Sequence, residues 1–79
     1  MNIEEEIEKN LLKIESFGFK KGLNLNENQV SKVINVSPST LSSWRKQGIG
    51  IDYIQVGGRV LYPKIAIAEF QAKRKVKTA

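Results

Sequence analysis

Two hydrophobic rhythms divide the chain. Ile3, Ile7, Leu11 and Ile14 recur at steps of three and four residues, the spacing that lines one side of an α-helix. Asn2 stands at the N-cap position, with Glu5 three residues on as its reciprocal partner. Ser16 to Asn24, interrupted by Gly18 and Gly22, reads as a connector whose Phe17, Phe19 and Leu23 are expected to tuck against the core. A second helix starts at Asn26, which can form a capping box with Gln29, while Leu25 and Val30 have hydrophobic-staple spacing. Val30, Val33 and Ile34 form its inward stripe, and Ser31 is small enough to let another helix approach. Asn35 closes it, because asparagine tolerates the left-handed conformation.

The third helix is the most legible. Ser37 caps it, Pro38 falls at its first position, where the missing N–H costs nothing, and Gly48 ends it. At about 100° per residue, Leu41 and Trp44 share one side, and Ser39, Ser42, Ser43 and Lys46 share the other. The segment contains no acidic residue. The second and third helices are thus joined by a turn of three or four residues, the arrangement that presents a reading helix. Beyond Gly48 the pattern alternates: Ile51 to Val56 and Arg59 to Tyr62 flank Gly57-Gly58, a two-residue loop suited to a primed turn. With that loop Val56 faces Arg59, Ile54 faces Leu61 and Tyr53 faces Tyr62, and Ile54 and Leu61 are expected to look inward. Pro63 opens a last helix carrying Ile65, Ala66, Ile67 and Phe70.

Size and charge narrow the chemistry. Seventy-nine residues, 41% of them hydrophobic, allow one small core, since a chain of this length buries only about 60% of its unfolded surface. Histidine and cysteine are absent, which argues against structural zinc, disulfides, thiol nucleophiles and imidazole catalysis. An enzyme is not expected, nor are a metal or another cofactor. No apolar run approaches the roughly 20 residues of a membrane span, and the glutamate-rich start is the opposite of a signal peptide. A cytoplasmic protein is expected. The net charge of +5 is unevenly spread: residues 1–15 carry five Glu and two Lys, and the remaining 64 carry Glu27, Asp52 and Glu69 against eleven Lys or Arg. A basic body fits a polyanionic partner, although basic charge also serves solubility.

The candidate contacts follow from these faces. Serines on a thin helix face can reach base edges in the major groove of DNA, and a lysine can reach guanine acceptors or phosphate. Thr40 and Arg45 lie on the same helix, and Arg45 and Lys46 are assigned to phosphate. Trp44, on the Leu41 stripe, is assigned to the core. Arg59 beside Gly57 and Gly58 reads either as a solvated turn residue or as a narrow cationic tip for a phosphate ridge or the minor groove. The run Lys73 to Lys77 reads as a flexible basic tail.

Taken in order, Val30 to Ser37, Thr40-Leu41-Ser42-Ser43-Trp44, Gly48, Tyr53 to Arg59 and Pro63 resemble the small winged-helix domain of phage excisionases and mercury-resistance-type regulators. The resemblance covers about residues 25–71. It implies a mainly α winged helix-turn-helix with a β-hairpin wing; the acidic amphipathic helix and connector over residues 1–24 and the basic flexible tail over residues 72–79, read from the residues themselves, lie outside it. It also implies a recognition helix reading DNA through Ser39, Ser42, Ser43 and Lys46 and a wing carrying Arg59; Thr40 and Arg45 of the same helix and Gly57 and Gly58 of the same turn complete the candidate contacts. The expected function is sequence-specific binding of double-stranded DNA, in the regulation of transcription or of site-specific recombination. Self-association and an integrase or polymerase are the protein partners considered. Asn35 stands where the family usually has glycine, and Ser31 where it usually has alanine. No effector-binding domain follows the winged helix, so no small-molecule effector is expected. A rival reading makes the protein an interaction module that works through the N-terminal stripe, which either packs on its own domain or forms a dimer contact.

Overall fold

The structure, a computed structural model, describes residues 2–75. Seven elements follow one another: α1 (Ile3–Ser16), β1 (Asn24–Leu25), α2 (Glu27–Ile34), α3 (Pro38–Gln47), β2 (Ile54–Val56), β3 (Arg59–Pro63) and α4 (Lys64–Lys73). The strands form an antiparallel sheet in the order β1-β3-β2. The result is a mainly α winged helix-turn-helix with one further helix at its N-terminus.

Local chemistry sets the helix ends. Asn2 accepts from the Glu5 amide at 2.9 Å. Asn26 accepts from the Gln29 amide at 2.8 Å while the Gln29 side chain accepts from the Asn26 amide at 2.9 Å, a complete capping box. Ser37 accepts from the Thr40 amide at 3.2 Å, and Pro38 occupies the first turn of α3. At the far ends Asn35 (φ 59) and Gly48 (φ 73) adopt the left-handed conformation, which frees each backbone to turn and cap the preceding carbonyls.

The core consists of Ile14, Leu25, Val30, Leu41, Ile51, Tyr62, Ile67 and Ala68, with Ile7, Leu11, Phe19, Val33, Ile34, Trp44, Val60 and Phe70 among the half-buried side chains packed around it. The N-terminal stripe therefore packs on its own domain. Asn10 donates to the Ala68 carbonyl at 3.0 Å, and Glu6 meets Lys75 at 3.0 Å, so α1 and α4 run antiparallel. The hydrogen bond from Lys75 holds the Glu6 carboxyl below the usual carboxylate range.

Several expectations are corrected. Phe19 packs inward, but Phe17 and Leu23 are exposed. The chain bends through Gly22 (φ 79), and Leu23 contributes its carbonyl to the Lys64 amide at 2.8 Å instead of contributing its side chain to the core. A short strand, β1, replaces the end of the connector, pairing Asn24 with Pro63 and Leu25 with Tyr62. Residues 51–53 precede the hairpin rather than extending it, with Ile51 in the core. Pro63 ends β3, and α4 begins one residue later.

The hairpin register is as expected, Ile54 with Leu61 and Val56 with Arg59, but its inward face is the other one. Tyr62 is 1% exposed and Val60 packs on the core, whereas Ile54 is 38% exposed. Alternation puts Ile54, Val56, Arg59 and Leu61 on one face and Gln55, Val60 and Tyr62 on the other. Tyr62 wins the inner position because its ring fills the core and its hydroxyl finds a partner there, Glu27.

Candidate nucleic-acid interface

Helix α3 buries Leu41 and half-buries Trp44, whose indole lies 5.7 Å from the Phe70 ring of α4. Anchoring on that side fixes what the other side offers. Ser39, Ser43 and Lys46 are exposed, while Thr40 and Ser42 are half-buried. The hydroxyls at the helix start are mutually hydrogen-bonded: Ser37 Oγ lies 3.2 Å from Ser39 Oγ and 2.9 Å from Thr40 Oγ1. No acidic residue occupies the first turn, so the positive end of the helix dipole faces outward beside three hydroxyl groups. Farther along, Ser43 accepts from Gln47 Nε2 at 2.9 Å. Lys46 has no ion-pair or hydrogen-bond partner among the described residues.

Arg45 is placed differently from its neighbours. Its Nε donates to Glu27 Oε2 at 3.1 Å, its Nη2 lies 3.4 Å from Ser42 Oγ, and its guanidinium sits 6.0 Å from the centre of the Tyr53 ring. The bond to Glu27 raises its pKa further above the ordinary arginine value. Tyr62 donates to the same Glu27 oxygen at 2.7 Å. Burial first, and that hydrogen bond second, push the Tyr62 phenol up to about 12. One carboxylate oxygen on α2 therefore joins α3 to the middle strand of the sheet.

The wing turns at Gly57 (φ 54) and Gly58 (φ 80), a pair of positive φ values that glycine accepts without strain. Arg59 is exposed and has no ion-pair or hydrogen-bond partner among the described residues. Its register places it on the outer face with Ile54 and Val56, whereas Tyr53 and Gln55 belong to the inner side, which carries Tyr62 and lies towards Arg45. The Tyr53 and Tyr62 rings meet at a tilt, 6.2 Å between centres. Exposed Gln55 lies on the same hairpin face as Val60, a placement the sequence does not reveal, because alternation alone does not say which hairpin face turns inward.

In the basic tail, α4 continues to Lys73, Arg74 lies 3.8 Å over the Phe70 ring, and Lys75 is paired with Glu6. Residues 76–79, including Lys77, lie outside the described residues. Among the described residues no group of three or more Asp, Glu, His or Cys is placed to hold a metal ion, and no helix is long and apolar enough to cross a membrane.

The family model of the helix-turn-helix domain matches residues 25–75, from β1 to just past the end of α4. No curated protein and no solved structure matches the chain. The chain belongs to this family of small, excisionase-like helix-turn-helix domains.

Proposed function

We propose that this helix-turn-helix protein binds double-stranded DNA sequence-specifically, with α3 in the major groove and the hairpin as a wing on the flanking backbone or minor groove. It acts in the cytoplasm as a small regulator of transcription or of site-specific recombination, and it does no chemistry on its target. The observation that carries this reading is the exposed face of α3. Ser39, Ser43 and Lys46 project from a helix whose opposite side is locked by Leu41 and Trp44, and a cation without an internal partner is available to phosphate or guanine. Arg59 reaches the duplex around the hairpin tip, since the outer wing face carries it.

The rival reading loses its surface. Ile7, Leu11 and Ile14 of the N-terminal stripe pack inside the domain, leaving Ile3 as its exposed member. Selecting preferred duplexes from a random pool, followed by amide-shift titration with the winning site, tests the proposal. Shifts concentrated at residues 39–46 and 55–59 are expected. Failure to enrich any duplex, or shifts confined to α1 and α4, refutes it.

A further inference from the structure

The geometry points to Glu27 as a positioning residue that sets the angle between the reading helix and the wing. This inference rests on the DNA-binding reading of the same surface. Glu27 opens α2 and is expected to touch no DNA itself. Its Oε2 accepts at once from Arg45 Nε of α3 (3.1 Å) and from Tyr62 Oη of β3 (2.7 Å).

Both parts also rest on the common core through Leu41, Ile51 and Tyr62, and Glu27 adds a direct polar link between them. The chain between them, residues 48–53, contains Gly48 and Gly50 at positive φ, and β2 has no buried residue. The neighbouring contacts run through the same residues: Arg45 lies over Tyr53, and the Tyr53 ring packs at a tilt against Tyr62. The pairing of β3 with β1 and the core packing of Val60 and Tyr62 root the hairpin in the fold, and a cluster of four side chains with one carboxylate at its centre links it to α3. A partly shielded ionic hydrogen bond of this kind is stronger than a neutral one, and its two donors come from different elements, so the bond constrains orientation as well as distance. A wing held at one angle meets the backbone while α3 is seated. A wing that swings has to give up orientational freedom on binding, which lowers affinity without removing any contact.

Three variants separate positioning from stability. Tyr62→Phe keeps the buried ring and removes one donor; Glu27→Gln keeps an accepting oxygen and removes the charge; Glu27→Ala removes both bonds. Each is tested at low temperature after its amide spectrum has confirmed the fold. In the free proteins, residual dipolar couplings report the orientation of residues 54–61 against residues 38–47. One fixed orientation is expected in the unaltered protein, a broadened or shifted one in Glu27→Ala, and intermediate values in Glu27→Gln and Tyr62→Phe.

On the selected duplex, Arg59→Ala is expected to weaken binding by about threefold or more in the unaltered protein and by less than about twofold in the Glu27→Ala background, the non-additivity of coupled sites. Should Glu27→Ala fail to fold, the same cycle in Glu27→Gln and Tyr62→Phe is decisive. The inference is overturned by dipolar couplings that stay unchanged across the variants, or by an Arg59→Ala loss of equal size in every background. An unaltered protein that enriches no duplex refutes the DNA-binding reading instead, and the dipolar couplings of the free proteins then decide by themselves whether Glu27 fixes the wing.

Discussion

Gly50 lies directly beneath the Trp44 side chain: a β-carbon at Gly50 would stand 3.0 Å from both Cβ and Cε3 of Trp44. Trp44 holds the inner side of α3 against Phe70, so the loop after α3 is shaped to seat that helix. The backbone at Gly50 has φ +87, a conformation unfavourable to side-chain-bearing residues. Gly50→Ala therefore meets two penalties, backbone strain and overpacking, for a combined destabilisation of about 2–4 kcal/mol. Thermal unfolding followed by circular dichroism is the check, and a melting temperature equal to that of the unaltered protein contradicts the packing described.

Tyr62 gives the protein an alkaline limit. Its folded-state pKa, about 12, lies above the ordinary value of 10.0, so folding favours the neutral phenol. The corresponding stability is fully present below pH 10 and is lost as pH rises through 12, amounting to about 2–3 kcal/mol for a shift of this size. Denaturant titrations at pH 9 and pH 12 on the unaltered protein and on Tyr62→Phe isolate the effect from the lysines. The difference between the two proteins is expected to shrink or change sign at the higher pH; a constant difference excludes the buried hydrogen-bonded phenol.

Ile14 makes the N-terminal helix part of the core. It is 2% exposed and clusters with Ile67 and Ala68 of α4. Ile14→Ala is expected to cost about 2–5 kcal/mol, a large share of the roughly 4–12 kcal/mol typical of a domain this size. Deleting residues 1–15 is consequently expected to unfold the domain rather than to release an independent winged helix. Leu12→Ser, on the outer side of α1 at 68% exposure, is expected to change stability by less than about 0.5 kcal/mol. Equal losses from Leu12→Ser and Ile14→Ala would place the wrong face of α1 against α4.

In the proposed interface the exposed polar and cationic side chains divide the work of binding. Ser43→Ala is expected to weaken the selected site more than unrelated duplexes, by about 1–3 kcal/mol where a base edge is contacted, and Lys46→Ala is expected to weaken the selected site. Arg59→Ala is expected to weaken all sequences alike and to reduce the slope of log K against log salt by about 1. Competition binding at several salt concentrations distinguishes these patterns. Uniform losses from every variant reduce α3 to a nonspecific backbone contact.

Much of this molecule is written in short-range chemistry. The caps at Asn2, Asn26 and Ser37, the left-handed stops at Asn35 and Gly48, and the hairpin register around Gly57-Gly58 each depend on residues within a few positions of one another. Their side chains and backbone groups meet whatever the rest of the chain does, so the residue types alone identify them. The exposed face of α3 is legible for the same reason, since Leu41 and Trp44 define its opposite.

Other features needed the assembled fold. Both hairpin faces carry apolar residues, Ile54, Val56 and Leu61 on one side and Val60 and Tyr62 on the other, so periodicity does not choose between them. The choice rests on distant partners, the core around Tyr62 and Val60 and Glu27, which lies 35 positions from Tyr62 and 18 from Arg45, and no local pattern links residues so far apart. Strand β1 is likewise too short to declare itself and exists because β3 offers Tyr62 and Pro63 as partners. Local sequence determines where each element begins, ends and turns; tertiary packing determines which face is buried and which charge is paired internally, because burial and ion pairing require partners that only folding brings together.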